Sequence, residues 1–167
     1  MVKAMQRSLA AAAVLGALGA TLYAPGAATA AGKADPMIAG GKYLVTIAGC
    51  NDCHTPGYAE SEGKTPEKDW LTGDILGWRG PWGTTYPVNL RLYMQRMTEA
   101  QWVKAAHALK ARPPMPAVNV RAMKDQDLKA IYRYIKHLGP AGNEAPIYLP
   151  PDKTPNPPFV QFPRLPK

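Results

Sequence analysis

Apolar positions recur at helical spacing most clearly between residues 124 and 138, where Leu128, Ile131, Tyr132, Ile135 and Leu138 share one face. Asp125 and Asp127 open this stretch and Lys136 and His137 close it, the charge order that a helix dipole favours. Gly139-Pro140 stops it. A second helix is predicted over residues 98–110. Thr98 followed by Gln101 is a capping-box pattern, and Trp102, Ala105, Ala106 and Leu109 form its apolar stripe. A third is predicted over residues 37–49, where Tyr43, Leu44, Ile47 and Ala48 lie on one face. The Gly40-Gly41 pair weakens that helix in isolation but permits close approach of another backbone. Residues 55–90 show no clean period. Trp70, Trp78 and Trp82 are too much apolar surface to leave in water, so this stretch is expected to be an ordered, Trp/Gly-rich loop.

The two ends of the chain read differently. Lys3 and Arg7 precede an apolar run from about Leu9 to Leu22, then Pro25-Gly26 and the small residues Ala28-Thr29-Ala30. That order is a secretory signal peptide, residues 1–30, with the processed chain beginning at Ala31. No second apolar run approaches the roughly 20 residues of a membrane span, so none is expected after cleavage. Residues 31–139 are expected to form one domain. Residues 140–167 carry nine prolines and are expected to form an extended tail, wrapped on the body or loose.

Net charge is +8, and +6 once Lys3 and Arg7 leave with the leader. A basic surface favours encounter with an acidic partner. Nucleic acid is a poor alternative for an exported chain with no basic run.

The only cysteines are Cys50 and Cys53, and they stand in Cys50-Asn51-Asp52-Cys53-His54. C-x-x-C-H is the attachment sequence of a c-type haem. Two thiols three positions apart on one helical turn reach the two vinyl groups on one porphyrin edge, and the adjacent imidazole can bind the iron. A thioredoxin-like pair would need a βαβ setting, and a zinc site would need a fourth ligand. The expected cofactor is therefore one covalent haem c, with His54 as an axial ligand. Among Met37, Met94, Met97, Met115 and Met123, the second axial ligand is expected to be Met115, clamped in Pro113-Pro114-Met115-Pro116. Met123, just before the last helix, suits a hydrophobic staple instead. Arg79, Trp82 and Asn89 are candidate donors to the haem propionates.

With these features placed, the chain resembles the class I c-type cytochromes. There a Gly-plus-aromatic N-terminal helix crosses a C-terminal helix ending in Tyr-aliphatic, here Gly41-x-Tyr43-Leu44 and Tyr134-Ile135. The resemblance implies a small all-α fold around one haem and aligns Met115, not Met123, with the iron-binding Met-Pro. It is similar also to bacterial cytochromes that act beside periplasmic dehydrogenases, through Cys53-His54-Thr55-Pro56 and Gly83-Thr84…Tyr86-Pro87-Val88-Asn89. Where those relatives continue Thr-Pro-Asp, this chain has Leu90-Arg91-Leu92. The resemblance implies a periplasmic electron carrier, not an enzyme with acid–base chemistry. Its partners would be redox proteins such as a dehydrogenase or a terminal oxidase. The rivals are a haem-bearing subunit of a larger oxidoreductase complex and an open-site gas sensor.

Overall fold

A computed structural model describes residues 35–163. The expected leader lies outside the described residues. Among the described residues six α-helices follow in order: α1 Pro36–Ile47, α2 Cys50–His54, α3 Leu90–Gln95, α4 Glu99–His107, α5 Ala117–Ala122 and α6 Asp125–Leu138. None of the described helices is long and apolar enough to cross a membrane.

α1 starts where Asp35 accepts the Met37 N–H at 2.9 Å and Pro36 takes the first helical position. It crosses α6 in the most extensive pairing of elements in the chain. Gly41 makes the crossing possible: a Cβ there would stand 2.1 Å from the Ala130 carbonyl oxygen and 2.6 Å from Tyr134 Cβ. The core closes around this crossing with Val45, Trp70, Leu71, Met94, Ile131, Tyr134 and Ile135. A smaller cluster of Val103, Ala106 and Leu128 joins α4 to α6. The capping box of α4 is complete: Thr98 Oγ1 accepts from Gln101 N at 3.3 Å and Gln101 Oε1 accepts from Thr98 N at 2.8 Å.

A small sheet accompanies the helices, which helical periodicity did not foresee. β1 (Gly77–Gly80) and β2 (Gly83–Thr85) form an antiparallel hairpin inside the Trp/Gly-rich region. β3 (Phe159–Gln161), from the proline-rich tail, pairs with β1 in parallel, giving the order β2-β1-β3. The tail is thus wrapped on the body. Thr84 and Leu149 exchange backbone hydrogen bonds at 2.8 and 3.0 Å, and Tyr148 donates its hydroxyl to the Trp82 carbonyl at 2.9 Å.

The hairpin has two distinct faces. Trp78 pairs with Thr85 and Gly80 with Gly83, so these four share one side, while Arg79 and Thr84 share the other. Arg79 donates to the Lys153 carbonyl at 3.2 Å, so the tail covers that second side. On the first side, Thr85 Oγ1 donates to the Pro113 carbonyl at 2.9 Å.

Candidate cofactor site

Gly49 adopts the left-handed conformation at φ 68° between α1 and α2, a region that favours glycine, and so lets the chain begin a new helical turn at once. That turn carries Cys50, Cys53 and His54. Both cysteines are free and half-buried. Burial, with Asp52 adding to it, pushes the Cys50 thiol up to about 11 and raises Cys53 as well. These are not the electropositive surroundings of a reactive thiolate pair.

His54 is 8% exposed. Its Nδ1 lies 2.8 Å from the Val88 carbonyl oxygen. A carbonyl can only accept, so Nδ1 carries the hydrogen and Nε2 keeps its lone pair. Burial lowers the His54 pKa, against the opposing pull of the Val88 carbonyl, and so favours the neutral ring that metal binding requires.

α2 is held from several directions. The Leu71 N–H donates to Thr55 Oγ1 at 2.7 Å, and Thr55 Oγ1 donates to Asn51 Oδ1 at 2.8 Å. The Gly73 N–H donates to the His54 carbonyl at 2.8 Å. Leu71 is fully buried and has φ 60°, a backbone that costs a leucine about 1–2 kcal/mol. Its carbonyl in turn accepts from Leu90 N at 3.0 Å and Arg91 N at 3.3 Å, tying α2 to the start of α3.

Arg91 sits at the departure from the dehydrogenase-associated pattern. Its side chain is buried and donates Nε to the Gly139 carbonyl at 2.5 Å and Nη1 to the Lys68 carbonyl at 2.6 Å; Nη2 donates to the Leu138 carbonyl. The guanidinium thus caps the C-terminus of α6, where the helix dipole favours a cation. Burial lowers its pKa but leaves a guanidinium charged.

The methionines, the other two histidines and the candidate propionate donors are placed as follows. Met115 is half-buried in the loop between α4 and α5, with its carbonyl accepting from Ala117 N at 2.9 Å. That loop is the one tied to Thr85 through Pro113. Met94 is in the core, and Met97 and Met123 pack against it. His107 is exposed and bonds the Arg121 carbonyl at 3.1 Å and Asp125 at 2.8 Å, while His137 is exposed in the last turn of α6. Asn89 caps α3 through its side-chain oxygen and commits both amide hydrogens to the Ala141 and Asn143 carbonyls, at 2.8 and 3.0 Å. Arg79 is turned to the tail. Trp82 differs from both: its Nε1–H is buried and has no partner. Trp78, absent from the sequence candidates, has the same unpartnered indole N–H.

The chain fits a covalently held haem. Two free thiols and an oriented, buried imidazole share one helical turn. Three large apolar residues remain well exposed near the ligand-bearing segments in sequence: Ile47 at 60%, Val88 at 48% and Val118 at 62%. Two buried donors on one hairpin face lack acceptors, which native structures rarely tolerate. Among the described residues no group of three or more His, Cys, Asp or Glu side chains is gathered to hold a metal ion, so the zinc alternative has no ligand set.

The fold and this site define a helical protein built to carry covalent haem. The family model for cytochrome c matches residues 38–139, and the chain belongs to the cytochrome c family. The family binds haem c covalently and serves haem-based electron transfer, with Cys50 and Cys53 in its C-x-x-C-H motif. No curated protein and no solved structure matches the chain.

Proposed function

We propose that this protein is a periplasmic carrier of single electrons whose haem is bound axially by His54 and Met115. The observation that carries the proposal is the buried His54 ring, fixed by Val88 with Nε2 free, beside two free cysteines on the same turn. Bound haem supplies the one-electron ferrous/ferric couple. The chain's own residues do the rest. Cys50 and Cys53 anchor the ring edge. The Val88 carbonyl orients His54 and raises its basicity, as an outer partner of a metal-binding histidine does. Met115 supplies a thioether that favours reduced iron. The hydrogen bond from Thr85 to Pro113 holds the loop that presents it. Trp78 and Trp82 offer their indole hydrogens to the propionates in the place of Asn89, whose two amide hydrogens are directed to backbone carbonyls, and beside Arg79, which directs one guanidinium donor to the Lys153 carbonyl. Export rests on the leader sequence, and the +6 charge of the processed chain suits an acidic redox partner, a dehydrogenase or a terminal oxidase.

The test is a pair of substitutions. Met115→Ala should keep the haem attached, remove the weak red-end absorption of Met-bound ferric iron, lower the potential and admit carbon monoxide or cyanide. Met123→Ala should leave the spectrum intact and lower stability through its lost packing. If only Met123→Ala changes the spectrum, the ligand assignment is reversed. If neither does, the site is not His/Met-ligated and the sensor reading moves ahead.

A further inference from the structure

Phe162 follows β3 and returns to the same side of the hairpin as Trp78. Its ring centroid lies 6.1 Å from that of Trp78, with planes at 51°, and 5.2 Å from that of Trp82, with planes at 64°. Both are tilted or edge-on contacts of the kind worth about 0.5–1.5 kcal/mol beyond area burial. Trp82 lies on this side because its ring occupies the place of a Gly80 side chain: a Cβ on Gly80 would stand 2.4 Å from it. The backbone fixes Phe162 as firmly as the rings do. Its N–H donates to the Arg79 carbonyl at 2.8 Å, extending the parallel pairing of Gln161 with Arg79.

One aromatic side chain thus touches both indoles whose N–H groups are buried and unpartnered. The same face of the hairpin meets the Met115 loop through Thr85 and Pro113. We propose that Phe162, delivered by the C-terminal tail, is a positioning residue for the haem: it holds Trp78 and Trp82 with their N–H groups aimed at the propionates and keeps water off them. The inference rests on the propionate role given above to the two tryptophans. An indole has two side-chain torsions to fix, and neither ring has a hydrogen bond of its own to fix them. The edge contacts with Phe162 supply that constraint. Removing the Phe162 ring would let the indoles turn and admit water beside the ring edge, and water stabilises the more highly charged ferric state.

The experiment uses the full-length haem-loaded protein. Phe162→Ala should leave haem attachment and the Met–iron band unchanged and shift the ferrous/ferric equilibrium about threefold toward ferric. That is a fall of ~28 mV at 59 mV per tenfold for one electron. Phe162→Tyr, which keeps the ring, should restore the parent value. Trp78→Phe with Trp82→Phe, which keeps both rings and removes both N–H donors, should itself lower the potential. In that background Phe162→Ala should add nothing further.

Each alternative outcome is decisive. If Phe162→Ala lowers thermal stability without moving the potential, or moves it equally with and without the indole donors, the positioning role is wrong. If the Trp pair alone leaves the potential and its pH dependence unchanged, the propionate role fails first and takes the positioning role with it. A chain with no attached haem or no Met–iron band would overturn the proposed function itself, a result separate from either.

Discussion

Adjacent glycines in α1 should respond to one substitution with opposite signs. Replacing glycine by alanine inside a helix gains about 0.8–1.0 kcal/mol of intrinsic propensity. At Gly40 nothing lies within 4 Å of the added methyl, so Gly40→Ala should keep that gain and stabilise by about 0.8 kcal/mol. At Gly41 the methyl would stand 2.1 Å from the Ala130 carbonyl oxygen, whereas ordinary contacts begin near 3.4 Å. The atoms it meets are the α6 backbone and the first carbon of Tyr134, neither of which can swing aside. α1 and α6 must therefore separate locally by about 1 Å. A gap of that size forfeits a quarter to a half of each dispersion contact across the crossing of Val45, Ile131, Tyr134 and Ile135. Taking about 3 kcal/mol for the overpacking, the net loss at Gly41→Ala is about 2 kcal/mol. At about 4 °C per kcal/mol, the two variants should differ in Tm by about 11 °C. Thermal unfolding of the haem-loaded proteins, followed by far-ultraviolet circular dichroism, measures the difference. A Gly41→Ala protein as stable as Gly40→Ala would refute the close crossing.

Arg91→Met should retain haem but destabilise by about 3 kcal/mol in urea unfolding, because the Leu138, Gly139 and Lys68 carbonyls lose charged donors; a loss below about 1 kcal/mol would show that water replaces the guanidinium. Arg91→Lys, a point charge that cannot fork among three carbonyls, should fall between the parent and Met. His107 has its pKa raised, first by Asp125 and then by the Arg121 carbonyl. Its contribution is therefore complete below the unfolded value of about 6.5 and fades as pH rises through the higher folded value. Urea midpoints at pH 5.5, 7 and 8.5 should fall more steeply for the parent than for His107→Gln, and parallel slopes would count against a stabilising His107–Asp125 pair.

Much of the helical framework was legible because its signals are local. Residues 125–138 declare themselves by period and charge order, and Thr98 and Gln101 cap each other within one turn. The C-x-x-C-H motif likewise needs no distant partner to be read. The sheet was not legible, because its strands are three or four residues long and β1 takes one partner from residues 159–161. Strands that short hold no alternation to count. Trp78 carries no local signal as a donor for the same reason: its shared face with Trp82 exists only once the hairpin turns. Arg91 read as a mere departure from a family pattern, since nothing local announces that an arginine will be buried against the end of a helix 47 residues away. Nor does a leucine at positive φ have a sequence signature. The family's cysteines and histidine could be read from spacing alone, whereas the donors around them depend on which side chains are already committed, as Asn89 is to the tail.

The parallel pairing of β1 with β3 has a consequence for how the protein is made. Gly77 meets Phe159 across a loop of about 80 residues, and closing a loop of that length costs about 4 kcal/mol in chain entropy before any strand contact repays it. The link between His54 and Val88 and the α3–α6 contacts close shorter loops, whereas the α1–α6 crossing, with Gly41 against Ala130, closes one just as long. The cysteine-bearing turn, Cys50–His54, lies inside the loop that the helices close and outside the loop that the strands close. Trimming the tail would open the strand-closed loop without untying the helix-closed one.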